Sequence, residues 1–231
     1  MLRIGNLELG KVPRVVGVVD EVLPAASVSS LQDKGVDIFE IRVDRYNLSE
    51  TKLQDYLKEI RSAVSSPLIG TVRETEQNRQ NRLTIFKSMV PFVDCVDIEL
   101  GTPIWKEMLD AASGKLIMVS EHDFEKTPDR SGLEDLVKRS IDQGAQVVKI
   151  AVMAHTAADV TRLLRFTEDC DVPLVTIAMG EVGTVSRVIA PLFKSLFTYG
   201  FLGESVAPGQ LSARKLAEEL DLYFPRRRNQ L

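Results

Sequence analysis

Eight short apolar runs, each followed by a stretch with helical periodicity, recur along all 231 residues of this chain. The runs cover residues 14–19, 36–44, 67–73, 95–100, 115–123, 147–152, 173–179 and 197–202. They are rich in β-branched residues and too short for helices, so they read as buried strands. Between them apolar residues return at helical spacing. In 50–63, for example, Leu53, Leu57, Ile60 and Val64 fall at i, i+4, i+7 and i+11. A second helix is expected over 133–143, with Ser131 as its cap, and a last one over about 210–220. Strands that alternate with helices build a parallel sheet through crossover connections. Eight such units predict an α/β chain closed into a single (β/α)8 TIM barrel. A doubly wound open sheet is the runner-up, but no GxGxxG or GxxxxGK follows any run, which argues against a dinucleotide or P-loop site. No low-complexity linker or composition break interrupts the pattern, so residues 1–231 are expected to form one domain. In a barrel, functional groups gather at the C-terminal ends of the strands and in the loops that follow.

Composition removes several classes of function. Hydrophobic residues are 44% and charged residues 27%, with a formal net charge of −4, so no general nucleic-acid footprint is expected. Arg226, Arg227 and Arg228 read as a solvated tail. The two cysteines, Cys95 and Cys170, have no CxxC spacing; they make no metal or redox motif and fit a reducing compartment. No segment approaches the ~20 apolar residues of a membrane helix, and residues 15–19 are too short for a signal peptide. The expectation is a cytoplasmic protein that meets neither membrane nor nucleic acid.

Within the sixth run stands a lysine, in Val147-Val148-Lys149-Ile150-Ala151-Val152. A buried ammonium is costly, and burial favours the neutral, nucleophilic amine that forms Schiff bases with ketones. Alone, such a lysine more often snorkels from an edge strand or pairs with a carboxylate. The other strand ends reverse that preference. Glu40, Arg42 and Asp44 alternate and are expected on one face of the second run, with Ile38. An internal Glu–Arg ion pair is the structural use of that pattern. Arg73 ends the third run, Asp97 and Glu99 share a face of the fourth, and His122 ends the fifth, where an imidazole serves as a general acid or base. His155 follows the sixth run and is given no role. Met179, Gly180, Gly183, Ser186 and Arg187 follow the seventh, and Ala207-Pro208-Gly209-Gln210 the eighth. Loops seven and eight of barrels often bind anions, and Arg187 offers a planar fork for a carboxylate or phosphate. Glu40, Asp97 and Glu99 could instead form an all-carboxylate Mg²⁺ site. Two separated histidines make no metal signature, and three arginines at one mouth argue for a small anionic substrate.

Taken in order, these segments resemble the type I 3-dehydroquinate dehydratase family. Glu40-Ile41-Arg42-Val43-Asp44 is similar to its E-x-R-x-D, Thr71-Val72-Arg73 to T-x-R, and Asp97-Ile98-Glu99-Leu100 to D-x-E-L. His122-Asp123-Phe124-Glu125-Lys126-Thr127-Pro128 is similar to H-D-F-x-x-T-P, and Val148-Lys149-Ile150-Ala151 to the segment around the Schiff-base lysine. Met179-Gly180 through Ser186-Arg187 is similar to M-G-x-x-x-x-S-R, and Ala207-Pro208-Gly209-Gln210 to A-P-G-Q. The resemblance implies dehydration of 3-dehydroquinate to 3-dehydroshikimate, in the shikimate pathway, with no metal or cofactor. It implies Lys149 as nucleophile and His122 as general acid/base. Glu40, Arg42 and Arg73 would then orient the ring hydroxyls, Arg187 and Gln210 hold the carboxylate, and Met179 form an apolar wall. A homodimer is compatible with it. Three positions depart from the family pattern. Gln77 stands where an acidic partner of the histidine is common, with Glu76 one residue away. Val206 stands at a usual serine, and Ala178 precedes Met179 where serine is common. Two other readings compete: another class I Schiff-base aldolase, and a non-catalytic barrel that senses a shikimate-like ligand. The Glu40–Arg42 pair and the H-D-F-x-x-T-P segment weigh against the first, and retention of both Lys149 and His122 against the second.

Overall fold

The computed structural model describes residues 2–203 and 209–230. Val206, with Ala207 and Pro208 of the A-P-G-Q segment, lies outside the described residues. After a short N-terminal hairpin of β1 (Arg3–Ile4) and β2 (Leu7–Glu8), eight strands follow in the expected places. They are β3 (Val15–Val19), β4 (Ile38–Arg42), β5 (Leu68–Thr71), β6 (Cys95–Glu99), β7 (Leu116–Asp123), β8 (Val147–Met153), β9 (Leu174–Met179) and β10 (Thr198–Phe201). All eight are parallel, in the order β10-β3-β4-β5-β6-β7-β8-β9. At the remaining seam the Leu196 N–H donates to the Leu174 carbonyl at 2.9 Å, so the sheet forms a nearly closed barrel. Helices α1 (Ala25–Ser29), α2 (Glu50–Ala63), α3 (Arg82–Met89), α4 (Trp105–Ala111), α5 (Arg130–Asp142), α6 (Ala157–Asp169), α7 (Ser186–Ile189) and α8 (Ala213–Tyr223) pack outside it. The fold is the expected (β/α)8 barrel. Among the described residues no helix is long and apolar enough to cross a membrane.

Strand alternation sorts the side chains. Outward residues such as Phe39, Ile41, Val96 and Ile98 join the buried faces of the helices, including Leu53, Leu57 and Ile60 of α2. The equivalent layer under α5 and α6 contains Val148, Ile150, Leu163 and Phe166. Inward residues at the N-terminal end form a separate apolar floor of Val16, Ile38, Ile69, Cys95, Met118, Val147, Val175 and Phe197. The hairpin covers that floor with Ile4 and Leu9. Strands of two residues have no readable periodicity, and the hairpin was not anticipated.

Three local expectations are corrected. Strand β4 ends at Arg42, because Val43–Arg45 turns into one 3-10 turn; the turn carries Asp44 back against Arg42 rather than along the same strand face. Helix α5 starts at Arg130, capped by Asp129 and not by Ser131: the Asp129 carboxylate accepts the Gly132 N–H at 2.8 Å. Nor is the arginine run simply a solvated tail. Arg227 is fully buried, 2.9 Å from Asp37, and also bonds Asp221 and the Gly35 carbonyl. Asp37 in turn pairs with Arg14 at 3.0 Å and accepts the Val15 N–H at 2.8 Å. A buried guanidinium survives only when its desolvation is offset by such partners. The cluster ties the chain's C-terminal stretch to the entry of β3.

Candidate active site

Two residues beyond the apolar floor, the inward positions change character. Ile38, Ile69, Cys95, Met118 and Val147 give way to Glu40, Thr71, Asp97, Ser120 and Lys149 on five consecutive strands. All five are buried, so each needs a partner. Lys149 Nζ lies 3.1 Å from Asp97 Oδ2 and 3.7 Å from Glu40 Oε1. Arg73 Nη2 donates to the same Asp97 oxygen at 2.9 Å and to Ser120 Oγ at 2.8 Å. Ser120 donates to Asp97 Oδ1 at 2.5 Å, and Thr71 to Glu40 at 2.6 Å. Two formal cations therefore face two formal anions. Burial alone would push the Asp97 carboxyl up. Arg73 and Lys149, with the Ser120 hydroxyl, outweigh it and hold that carboxyl far below the usual range. On its other side Lys149 Nζ stands 4.1 Å from the centroid of the Tyr199 ring. The alternative of a buried lysine paired with carboxylates thus describes the arrangement of Lys149. Lys149 nevertheless also borders open space.

That space is a cavity of about 390 Å³ at the C-terminal mouth. Lys149, His122, Glu40, Arg42, Met179, Arg187 and Gln210 all line it, and so do Asp20, Arg45, Phe124 and Tyr199. Its volume suits a small ring compound. His122 comes from the end of β7, where Asp123 accepts the N–H groups of Glu125 and Lys126 and Thr127 Oγ1 donates to the Met153 carbonyl at 2.7 Å. Among the described residues no hydrogen bond holds the imidazole. It stacks on the exposed Phe124 ring, with centroids 6.0 Å apart and planes 17° from parallel. Burial, then the charges of Lys149 and Arg73, pulls its pKa from the ordinary 6.5 down to about 3. Both causes favour the neutral ring.

Arg187 guards the opposite side. Ser186 Oγ, buried beside it, accepts the Ala178 N–H at 3.1 Å and fixes the loop after β9. Arg187 Nε donates to the Gly209 carbonyl at 2.9 Å, and Nη1 to the Tyr199 carbonyl at 3.3 Å. Among the described residues only neutral carbonyls hold it, and burial draws its pKa from 12.5 to about 10. It stays cationic at neutral pH, buried, without a carboxylate partner among the described residues. The two glycine motifs meet here. Gly209 has φ +75°, and a Cβ on it would lie 2.4 Å from the Gly180 carbonyl oxygen. The backbones approach too closely for any side chain.

The three arginines expected at the mouth are not equivalent. Arg42 lines the cavity but is bound to Asp44 by two hydrogen bonds, at 3.0 and 2.8 Å. Arg73 lies beneath the cavity wall, engaged with Asp97. Among the described residues Arg187 alone of the three has no carboxylate partner. Glu99, a candidate magnesium ligand, turns away to Arg82, while Asp97 and Glu40 face cations. Among the described residues no group of three His, Cys, Asp or Glu side chains is arranged to hold a metal ion. Glu76 and Gln77 are both exposed, and Gln77 lines a separate groove with Asp44 and Asn78; neither meets His122. Ala178 faces the helix layer, with Leu163 and Phe166, so its departure leaves the cavity wall unchanged. Asp20, Arg45 and Tyr199 were not singled out from sequence. Asp20 and Arg45 follow the ends of β3 and β4, whereas Tyr199, second residue of β10, carried no such signal.

The sequence pattern of the family described as type I 3-dehydroquinase matches residues 17–226. The chain is 33% identical to the 3-dehydroquinate dehydratase of Methanococcoides burtonii, over 96% of this chain and 99% of that protein. It is 36% identical to that of Klebsiella pneumoniae, over 91% of each. Among solved structures it superposes on the type I 3-dehydroquinate dehydratase of Clostridium difficile with a TM-score of 0.86 at 28% identity, covering 97% of this chain and 98% of that one. The Aquifex aeolicus 3-dehydroquinate dehydratase gives 0.81 at 27% identity, covering 91% and 99%.

Proposed function

The chain belongs to the type I 3-dehydroquinase family and is a carbon–oxygen lyase, and from this premise we propose that it dehydrates 3-dehydroquinate through a Schiff base on Lys149, with His122 moving the protons. The observation that carries the reading is a buried lysine at the wall of a cavity that His122 and Arg187 also line. The covalently modified comenic acid in the C. difficile structure fits a family site that holds a reactive group.

The substrate's carboxylate would sit against Arg187, the buried cation that bonds the Gly209 and Tyr199 carbonyls, with Gln210 beside it. Glu40 and Arg42 would orient the ring hydroxyls, with Arg73 supporting them from beneath, and Met179 would close the apolar side. His122 takes one proton from the Lys149 ammonium, and the freed lone pair attacks the C3 carbonyl carbon. The carbonyl π pair moves to oxygen, which takes a second proton from the attacking nitrogen to give a neutral carbinolamine. The returned proton then lets that oxygen leave as water. Ammonium and ketone thus become iminium and water, with the positive charge kept on nitrogen. The iminium withdraws electrons from the adjacent C2–H bond. His122 removes that proton, giving a neutral enamine, and the imidazolium then protonates the C1 hydroxyl as it departs as water. Hydrolysis of the resulting conjugated iminium releases 3-dehydroshikimate and returns Lys149. The iminium is itself the electron sink, so this route calls on no further cofactor. The same reading places one catalytic domain in the cytoplasm.

Intact-protein mass after borohydride reduction, with and without 3-dehydroquinate, tests it. A reduced adduct on the Lys149 peptide is expected, and Lys149→Ala should lose both adduct and turnover while remaining folded. Wild-type turnover in that variant would overturn the mechanism.

A further inference from the structure

We propose that Asp97 and Tyr199 are positioning residues that form a cage around the Lys149 nitrogen, aiming it at the cavity and stabilising the positive charge it carries as ammonium and again as iminium. This rests on Lys149 being the Schiff-base nucleophile. Asp97 Oδ2 stands 3.1 Å from Nζ, and the Tyr199 ring face 4.1 Å from it. Glu40 Oε1 is a more distant third neighbour at 3.7 Å, and Lys149 still borders the cavity. Both groups are fixed in advance. Asp97 is held by Arg73 and Ser120, and Tyr199 packs edge-to-face on Phe197 at 5.8 Å.

Conversion of ammonium and ketone to iminium and water leaves the charge on the same atom. A counter-ion and ring face set for the first cation are therefore set for the second, with no reorganisation. An undivided carboxylate would bind the nitrogen so strongly that the later, neutral enamine became too costly. Asp97 avoids this because the oxygen that faces Lys149 is shared with Arg73 at 2.9 Å. The Tyr199 hydroxyl has no part in the cage: it is buried and makes no hydrogen bond among the described residues. The ring face is the acting group, and a phenylalanine would supply it equally.

The test compares Asp97→Asn, Tyr199→Leu and Tyr199→Phe in steady-state assays with 3-dehydroquinate and in borohydride trapping. Asp97→Asn should lower kcat ~100-fold and Tyr199→Leu ~10-fold, with KM within about three-fold of wild type. Tyr199→Phe should restore the wild-type rate. Equal losses in Tyr199→Phe and Tyr199→Leu, an unchanged kcat in Asp97→Asn, or losses carried by KM would each overturn the cage. If Asp97→Asn does not fold, the tyrosine pair decides alone. Absence of a Lys149 adduct in the wild type would instead defeat the underlying mechanism. A wild-type adduct combined with wild-type kcat in the variants would defeat only the cage.

Discussion

The state in which His122 waits for substrate is open to direct titration. Burial is the main force lowering its pKa to about 3, and the Lys149 charge is the second. At ~1.4 kcal/mol per tenfold change in proton affinity, the fall from the ordinary 6.5 to about 3 makes the imidazolium about 5 kcal/mol less favourable here than in water. The unfolded chain takes up this proton near 6.5 and the folded chain does not. Stability from His122 is therefore complete above 6.5 and declines as pH falls toward 3. Imidazole carbon-bound proton shifts followed by NMR from pH 8 to 4 should show His122 unprotonated throughout. His155 gives the only other histidine signal and can be assigned with His155→Gln. Lys149→Met should raise the His122 midpoint, but not to 6.5, because the burial remains. In urea unfolding at pH 5, His122→Asn should lose less stability relative to pH 7 than the wild type does. A wild-type midpoint near 6.5 would refute the reasoning. The burial and the Lys149 charge would then not govern the imidazole as argued, although a ring of that affinity would still be mostly neutral at pH 7.

Two further outcomes follow from the cavity wall. Arg187→Met should raise KM for 3-dehydroquinate by about 10–100-fold, the worth of a charge-assisted contact to a buried carboxylate, with a smaller effect on kcat; steady-state kinetics decides, and an unchanged KM removes Arg187 from carboxylate binding. Gln77→Glu should leave the pH–rate profile unmoved, because that side chain is exposed and lines a groove apart from His122; a shifted limb would mean that the loop after β5 reaches His122 in the substrate complex.

What could be read from the chain, and what could not, divides along the range of the interactions. Strand positions were legible because β-branched runs mark them locally, and Lys149 stood out because a charge inside such a run is anomalous wherever the run lies. The partner of Lys149 was not legible. Asp97 lies 52 positions away, and it meets the lysine through two successive registers: Asp97 opposite Met118 on β7, then Ser120 opposite Lys149 on β8. A slip of one residue at either ladder would turn one of the two out of the barrel, and nothing local sets that register. Arg227 makes the same point in reverse. Three adjacent arginines look alike as sequence, yet the middle one finds Asp37 across 190 positions and is buried. Arg187 lay between these cases. Its fork and its loop were evident, but that it has no carboxylate among the described residues becomes visible only once Arg42 and Arg73 are seen to have theirs. Of the three arginines read from sequence, Arg187 is the one without a carboxylate among the described residues, and the single carboxylate of the proposed substrate is what would satisfy it.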